Sequence, residues 1–98
     1  MSRDANRLNR IRLFVCCQCG ADAPSQAAHS NFYEHGKGRG IKADDKYTIP
    51  LCASCHAKLD QYNMGMSRTE SLAWFIEKLN LVNGALAYDE REDAADIF

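Results

Sequence analysis

Tyr47-Thr48-Ile49-Pro50-Leu51-Cys52-Ala53-Ser54-Cys55-His56-Ala57-Lys58-Leu59-Asp60 decides how this chain is built. The run from Tyr47 to Leu51 reads as a short strand that delivers Cys52. Residues 53–61 read as a helix, on which Cys55, His56, Leu59 and Asp60 follow at helical spacing, and Gly65 ends the stretch. Cys52-x-x-Cys55 puts two thiols on one turn. A second pair, Cys16-x-x-Cys19, stands 32 residues upstream. Zinc holds thiolates in a tetrahedron, and two such turns from distant positions complete its four ligands. Cys16, Cys19, Cys52 and Cys55 are therefore the expected structural zinc site. The rival arrangement uses His56 or His29 in place of one cysteine. Redox chemistry is disfavoured, because it needs one pair at a helix N-terminus in a thioredoxin-like setting. Within Cys16-Cys17-Gln18-Cys19 the CxxC register selects Cys16, which leaves Cys17 as a small buried hydrophobe.

The chain has 98 residues, enough for one small domain. We divide it into an Arg-rich lead-in (1–13), a core (14–62) and a helical C-terminal segment (63–98). A core this small stabilises a fold only narrowly, and a structural zinc adds roughly 10 kcal/mol or more in small peptides. No apolar run is long enough to span a membrane. The N-terminus lacks the hydrophobic segment of a signal peptide. The expected location is the cytosol of a bacterial host, where thiols stay reduced and CxxC pairs usually mean metal. Net charge is −1, unevenly spread: residues 1–49 hold 8 Lys/Arg against 5 Asp/Glu, and residues 50–98 hold 4 against 8. A positive first half hints at nucleic acid. A pI of 6.3 argues against strong non-specific DNA binding.

Residues 3–13 form a helical turn or an extended arm. Phe14-Val15 is expected as a short strand entering the first knuckle, and Ala27-Ala28-His29 as a strand ending at the histidine. Gly36-Lys37-Gly38-Arg39-Gly40 is a basic glycine loop that could approach a phosphate, but it lacks the ending and context of a nucleotide-binding loop. Ser67-x-x-Glu70 is a capping box. Leu72, Phe75, Ile76, Leu79 and Val82 then form an apolar stripe on a helix of about 67–83. Gly84 stands where a C-cap belongs, and residues 85–98 are a last short helix or a loose tail.

His56 should point away from the sulfurs, since neighbours on a helix are about 100° apart. Asp60 lies one turn on, so the pair could hold a divalent cation with positions left open for water and substrate. A plain surface His–Asp hydrogen bond is the alternative.

These stretches together (Cys16-x-x-Cys19, Ala27-Ala28-His29-Ser30-Asn31, the glycine loop with Ile41-Lys42-Ala43, and Leu51-Cys52-x-x-Cys55-His56 with Asp60-Gln61) resemble the HNH nuclease superfamily. They are closest to its four-cysteine branch, the phage recombination-enhancement, RecA-dependent nucleases. The resemblance covers roughly residues 14–62. It implies a small α+β fold, a zinc-stapled ββα-metal (His-Me finger) core with an added C-terminal helical segment. It implies a phage or prophage DNA endonuclease with His29 as general base. His56 would be the metal-binding helix histidine and Asp60 the second ligand, on Mg²⁺ or Mn²⁺. It also implies DNA as partner, and possible association with a RecA-type filament. Arg3, Arg7, Arg10, Arg12, Lys37, Arg39 and Lys42 are the candidates for phosphate contacts. One position departs: the family's middle asparagine, nine residues before the helix histidine, is Tyr47 here. Asn31, Asp44 and Asp45 are candidates to compensate. The other readings are a catalytically degenerate zinc-stapled module that binds DNA or protein, and a phage counter-defence factor acting through its acidic half.

Overall fold

The structure, a computed structural model, describes residues 4–38, 43–61 and 65–96. It is a small α+β arrangement: helix α1 (Ala5–Arg12), strand β1 (Gln26–His29), a 3-10 turn (Tyr33–His35), strand β2 (Thr48–Leu51), helix α2 (Ala53–Asp60) and helix α3 (Arg68–Asp96).

The two strands pair antiparallel, with His29 opposite Thr48 and Gln26 opposite Leu51. Alternation along β1 turns Ala28 into the core, fully buried, and puts Ala27 and His29 on the other face. β2 is buried along its whole length. Pro50 has no N–H to give, and its carbonyl accepts from Cys17 N at 2.9 Å. The first knuckle is thereby pinned to β2 by main chain alone.

Three devices start the helices. Asp4 caps α1 by accepting from Arg7 N at 3.0 Å, and Arg10 and Arg12 sit in its last turn, where cations suit the helix dipole. Cys52 caps α2, its sulfur accepting from Cys55 N at 3.5 Å. Ser67 and Glu70 form the expected reciprocal box at 3.0 and 3.1 Å.

The core joins Ile11 of α1, Ala28, Phe32, Ile49, Leu51 and Leu59 to Phe75, Leu79, Val82 and Leu86 of α3. Arg7 clasps these layers. Its Nε and NH2 donate to Thr48 Oγ1 and Thr48 O at 3.0 and 2.9 Å, and its NH1 to Asn83 Oδ1 at 2.8 Å. Arg10 NH2 donates to Leu86 O at 2.9 Å. Trp74 Nε1 donates to Gln18 Oε1 at 2.9 Å, which ties α3 to the first knuckle.

Three expectations are corrected here. Phe14-Val15 is not a strand: among the described residues no neighbouring strand offers it a ladder, and Phe14 O is satisfied instead by the Ser25 hydroxyl at 2.8 Å. Gly84 does not end the last helix, which runs on to Asp96. The reason is that Leu86 lies four residues past Val82 and extends the buried stripe by another turn. Ile76 leaves that stripe and is 41% exposed. The lead-in settles as a helix rather than an arm. No helix among the described residues is long and apolar enough to cross a membrane.

Candidate functional site

The four sulfurs of Cys16, Cys19, Cys52 and Cys55 lie within 4.8 Å of one another. Cys19 and Cys52, one from each knuckle, are 3.7 Å apart. A tetrahedral ion with bonds of about 2.3 Å sets its sulfurs about 3.8 Å apart, so the donor set fits a structural metal such as zinc. Each knuckle bends back on its own first sulfur: Cys19 N donates to Cys16 Sγ at 3.5 Å, as Cys55 N does to Cys52 Sγ. Burial opposes ionisation of Cys16, but amides from Cys19, Cys52 and Gln18 outweigh it and bring the thiol down to about 6. The Cys55 amide likewise lowers Cys52. Burial first, then the neighbouring sulfurs, raise Cys55. An ion supplies the charge compensation that this last sulfur lacks. Cys17 stands outside the cluster, half-buried, its thiol pushed up to about 11 by burial, in keeping with a packing role.

The helix that carries Cys55 inward turns His56 outward. His56 and Asp60 from α2, His29 and Ala27 from β1, and Leu8 and Arg12 from α1 line one cleft of about 450 Å³, with Ser30, Asn31 and Lys37. Strand and helix thus present their histidines to the same space.

Each ring is held by one nitrogen. His29 Nε2 lies 2.8 Å from Asp45 Oδ1, with side-chain exposures of 21% and 3%. His56 Nδ1 lies 2.7 Å from Gln26 Oε1. An amide oxygen only accepts, so His56 Nδ1 carries a proton. The Nε2 of His56 is 3.4 Å from Asp60 Oδ2. The other Asp60 oxygen, Oδ1, accepts from Asn31 Nδ2 at 3.1 Å. Among the described residues nothing bonds His29 Nδ1.

The basic candidates separate. Arg12 and Lys37 reach the cleft. Arg10, two residues from Arg12 and so about 200° around α1, faces α3, and the Arg7 guanidinium is taken up by Thr48 and Asn83. Neither belongs with the cleft cations. Arg3, Arg39 and Lys42 lie outside the described residues.

Tyr47 turns away from the cleft and stacks on His35, ring centroids 4.3 Å apart. His35 Nδ1 is 2.6 Å from Ser30 Oγ, and burial pushes its pKa below the ordinary imidazole value. Ser30 N donates to Tyr47 O at 2.9 Å. The segment next to His29 is therefore braced by a stacked pair and a main-chain bond. Sequence reasoning passed over Gln26 and His35. A glutamine at the mouth of a strand carries no local signal, and His35 is identified only by its neighbours across the fold.

No curated protein and no solved structure matches the chain. A family model described as "Protein of unknown function (DUF968)" matches residues 4–74, a span that takes in both knuckles, both cleft histidines and the start of α3. The chain belongs to the DUF968 family.

Proposed function

We propose that this protein is a metal-dependent DNA endonuclease of the HNH type, with a ββα-metal core stapled by zinc on Cys16, Cys19, Cys52 and Cys55. One observation carries the reading: His29, from the end of a strand, and His56, from the following helix, open on one cleft with Arg12 and Lys37. Hydrolysis of a phosphodiester needs a base for water, relief of charge at phosphorus and help for the leaving oxygen. His29 supplies the base, since a neutral imidazole accepts a proton at pH 7. Arg12 and Lys37 hold the phosphate backbone without reading sequence.

His56 Nε2 and Asp60 Oδ2, which converge to 3.4 Å on the wall of the cleft, would hold one Mg²⁺- or Mn²⁺-like ion. Such an ion supplies electrostatic stabilisation of the charge that develops on the phosphate and leaving oxygens. The thiolate site takes all four donors from the protein and would serve rigidity alone.

The test is plasmid nicking by the zinc-loaded protein across Mg²⁺, Mn²⁺ and Ni²⁺. Wild type should cut, and His29→Ala should lose about 10²- to 10⁴-fold in rate with zinc content and thermal stability unchanged. Cleavage that survives His29→Ala would refute the assignment. Tyr47 in the asparagine position, stacked on His35, favours a second reading, a zinc-stapled module that grips DNA without cutting. Wild type that binds a DNA duplex yet nicks nothing with any of these ions would decide for it.

A further inference from the structure

We infer that Asp45 is the positioning residue of the site: it keeps the proton of His29 on Nε2 and so leaves Nδ1 as the base. The inference rests on the nuclease reading above and fills the place that Tyr47 leaves open.

Three residues were candidates for that place. Asn31 is engaged on α2, donating to Leu59 O and Asp60 Oδ1. Asp44 serves the turn, its amide donating to His35 O and its carbonyl accepting from Tyr47 N. Among the described residues Asp45 is the one of the three that meets His29, 2.8 Å from Oδ1 to Nε2. An ionised carboxylate only accepts, so the hydrogen lies on Nε2.

The carboxylate is itself immobilised. Asp45 Oδ2 accepts from Asp4 N at 2.7 Å. Its carbonyl accepts from Thr48 Oγ1 at 2.7 Å, and Thr48 pairs with His29 across the sheet. The side chain is only 3% exposed. Ring and carboxylate are thus both tied to Thr48 at the end of the sheet, one by strand pairing and one by the turn before β2, and little freedom separates them.

The proposed step balances as follows. Water gives one proton to His29 Nδ1 and its oxygen to phosphorus. The bond from phosphorus to the leaving 3′ oxygen breaks with its electron pair, and that oxygen takes a proton from solvent. Asp45 takes no proton. It faces the imidazolium that forms and offsets its charge, as the buried aspartate does in a serine-protease triad.

Asp45→Asn tests this by tautomer. The amide oxygen would face Asp4 N–H, which needs an acceptor, and the NH₂ would then face His29 Nε2. That nitrogen must become an acceptor, and the proton moves to Nδ1. Both hydrogen bonds persist, so the fold should as well, which thermal melting and zinc content would verify. We expect kcat for nicking to fall about 10²- to 10⁴-fold at nearly constant KM. In ¹⁵N-resolved imidazole spectra of the zinc-loaded protein, the protonated nitrogen of His29 should change from Nε2 to Nδ1. A folded Asp45→Asn that nicks within about threefold of wild type, or a wild-type His29 protonated at Nδ1, would overturn the inference. Wild type that does not cut removes the nuclease reading, and the spectra then judge the Asp45–His29 arrangement by themselves.

Discussion

The cysteine cluster and the histidine cleft share helix α2 and differ in where their donors point. Cys52 and Cys55 turn inward, toward sulfurs from the other knuckle and toward their own amides. His56 and Asp60, on the same two turns, look into a cleft open to solvent. In the first region every ligand is provided by the protein, so a metal there has no place for substrate. In the second, each ring is fixed through one nitrogen and leaves its other nitrogen for something else. The lesson is that one short helix can aim two sets of donors at different surroundings by its 100° step alone.

The contrast can be broken most severely at the sulfurs. Cys55→Ser, or stripping the metal with a chelator, should cost most of the roughly 10 kcal/mol that a structural zinc contributes. Melting and far-UV dichroism would then report an unfolded or loosely collapsed chain. A protein that keeps its cooperative melt without metal would show the cluster to be ornamental. His29→Ala should do the reverse, keeping the melt and losing the nicking.

A smaller effect sharpens the cleft side. Gln26→Ala frees the His56 ring, so binding of Mn²⁺, followed by calorimetry, should weaken about 10- to 100-fold while zinc content holds. Equal affinity in the two proteins would mean that Gln26 does not orient the ligand. Smaller still are changes remote from both regions. Leu86→Ala should destabilise by about 2 kcal/mol or more. Gly84→Ala should stabilise by about 0.5–1 kcal/mol, because a Cβ there meets nothing within 4 Å. If Gly84→Ala lowered the melting temperature instead, the unbroken course of α3 would be wrong.

What could be read from the sequence follows the range of the interactions. The knuckles were legible because CxxC geometry is local. β1, β2 and α2 were legible because each is short and bounded by a cysteine, histidine or glycine. That His29 and His56 belong together came from the resemblance and not from the strand and helix readings. Asp45 could not be chosen over Asp44 or Asn31, since all three stand in connecting segments whose aim is set by distant contacts, Asn31 with α2 and Asp45 with Asp4 and the sheet. Gly84 misled for a related reason. A glycine after an apolar stripe resembles a cap, and the burial of Leu86 in the core shows why the helix goes on. Phe14-Val15 had strand-like composition but no partner.

The Arg7 clasp bears on how the molecule is made. It links residues 41 and 76 positions apart, whereas the last cysteine of the cluster is residue 55. Gathering the four sulfurs therefore does not close the clasp: Arg7 has its full set of partners only once the chain has reached Asn83, and any shortening of the chain before α3 would leave the guanidinium half-bound.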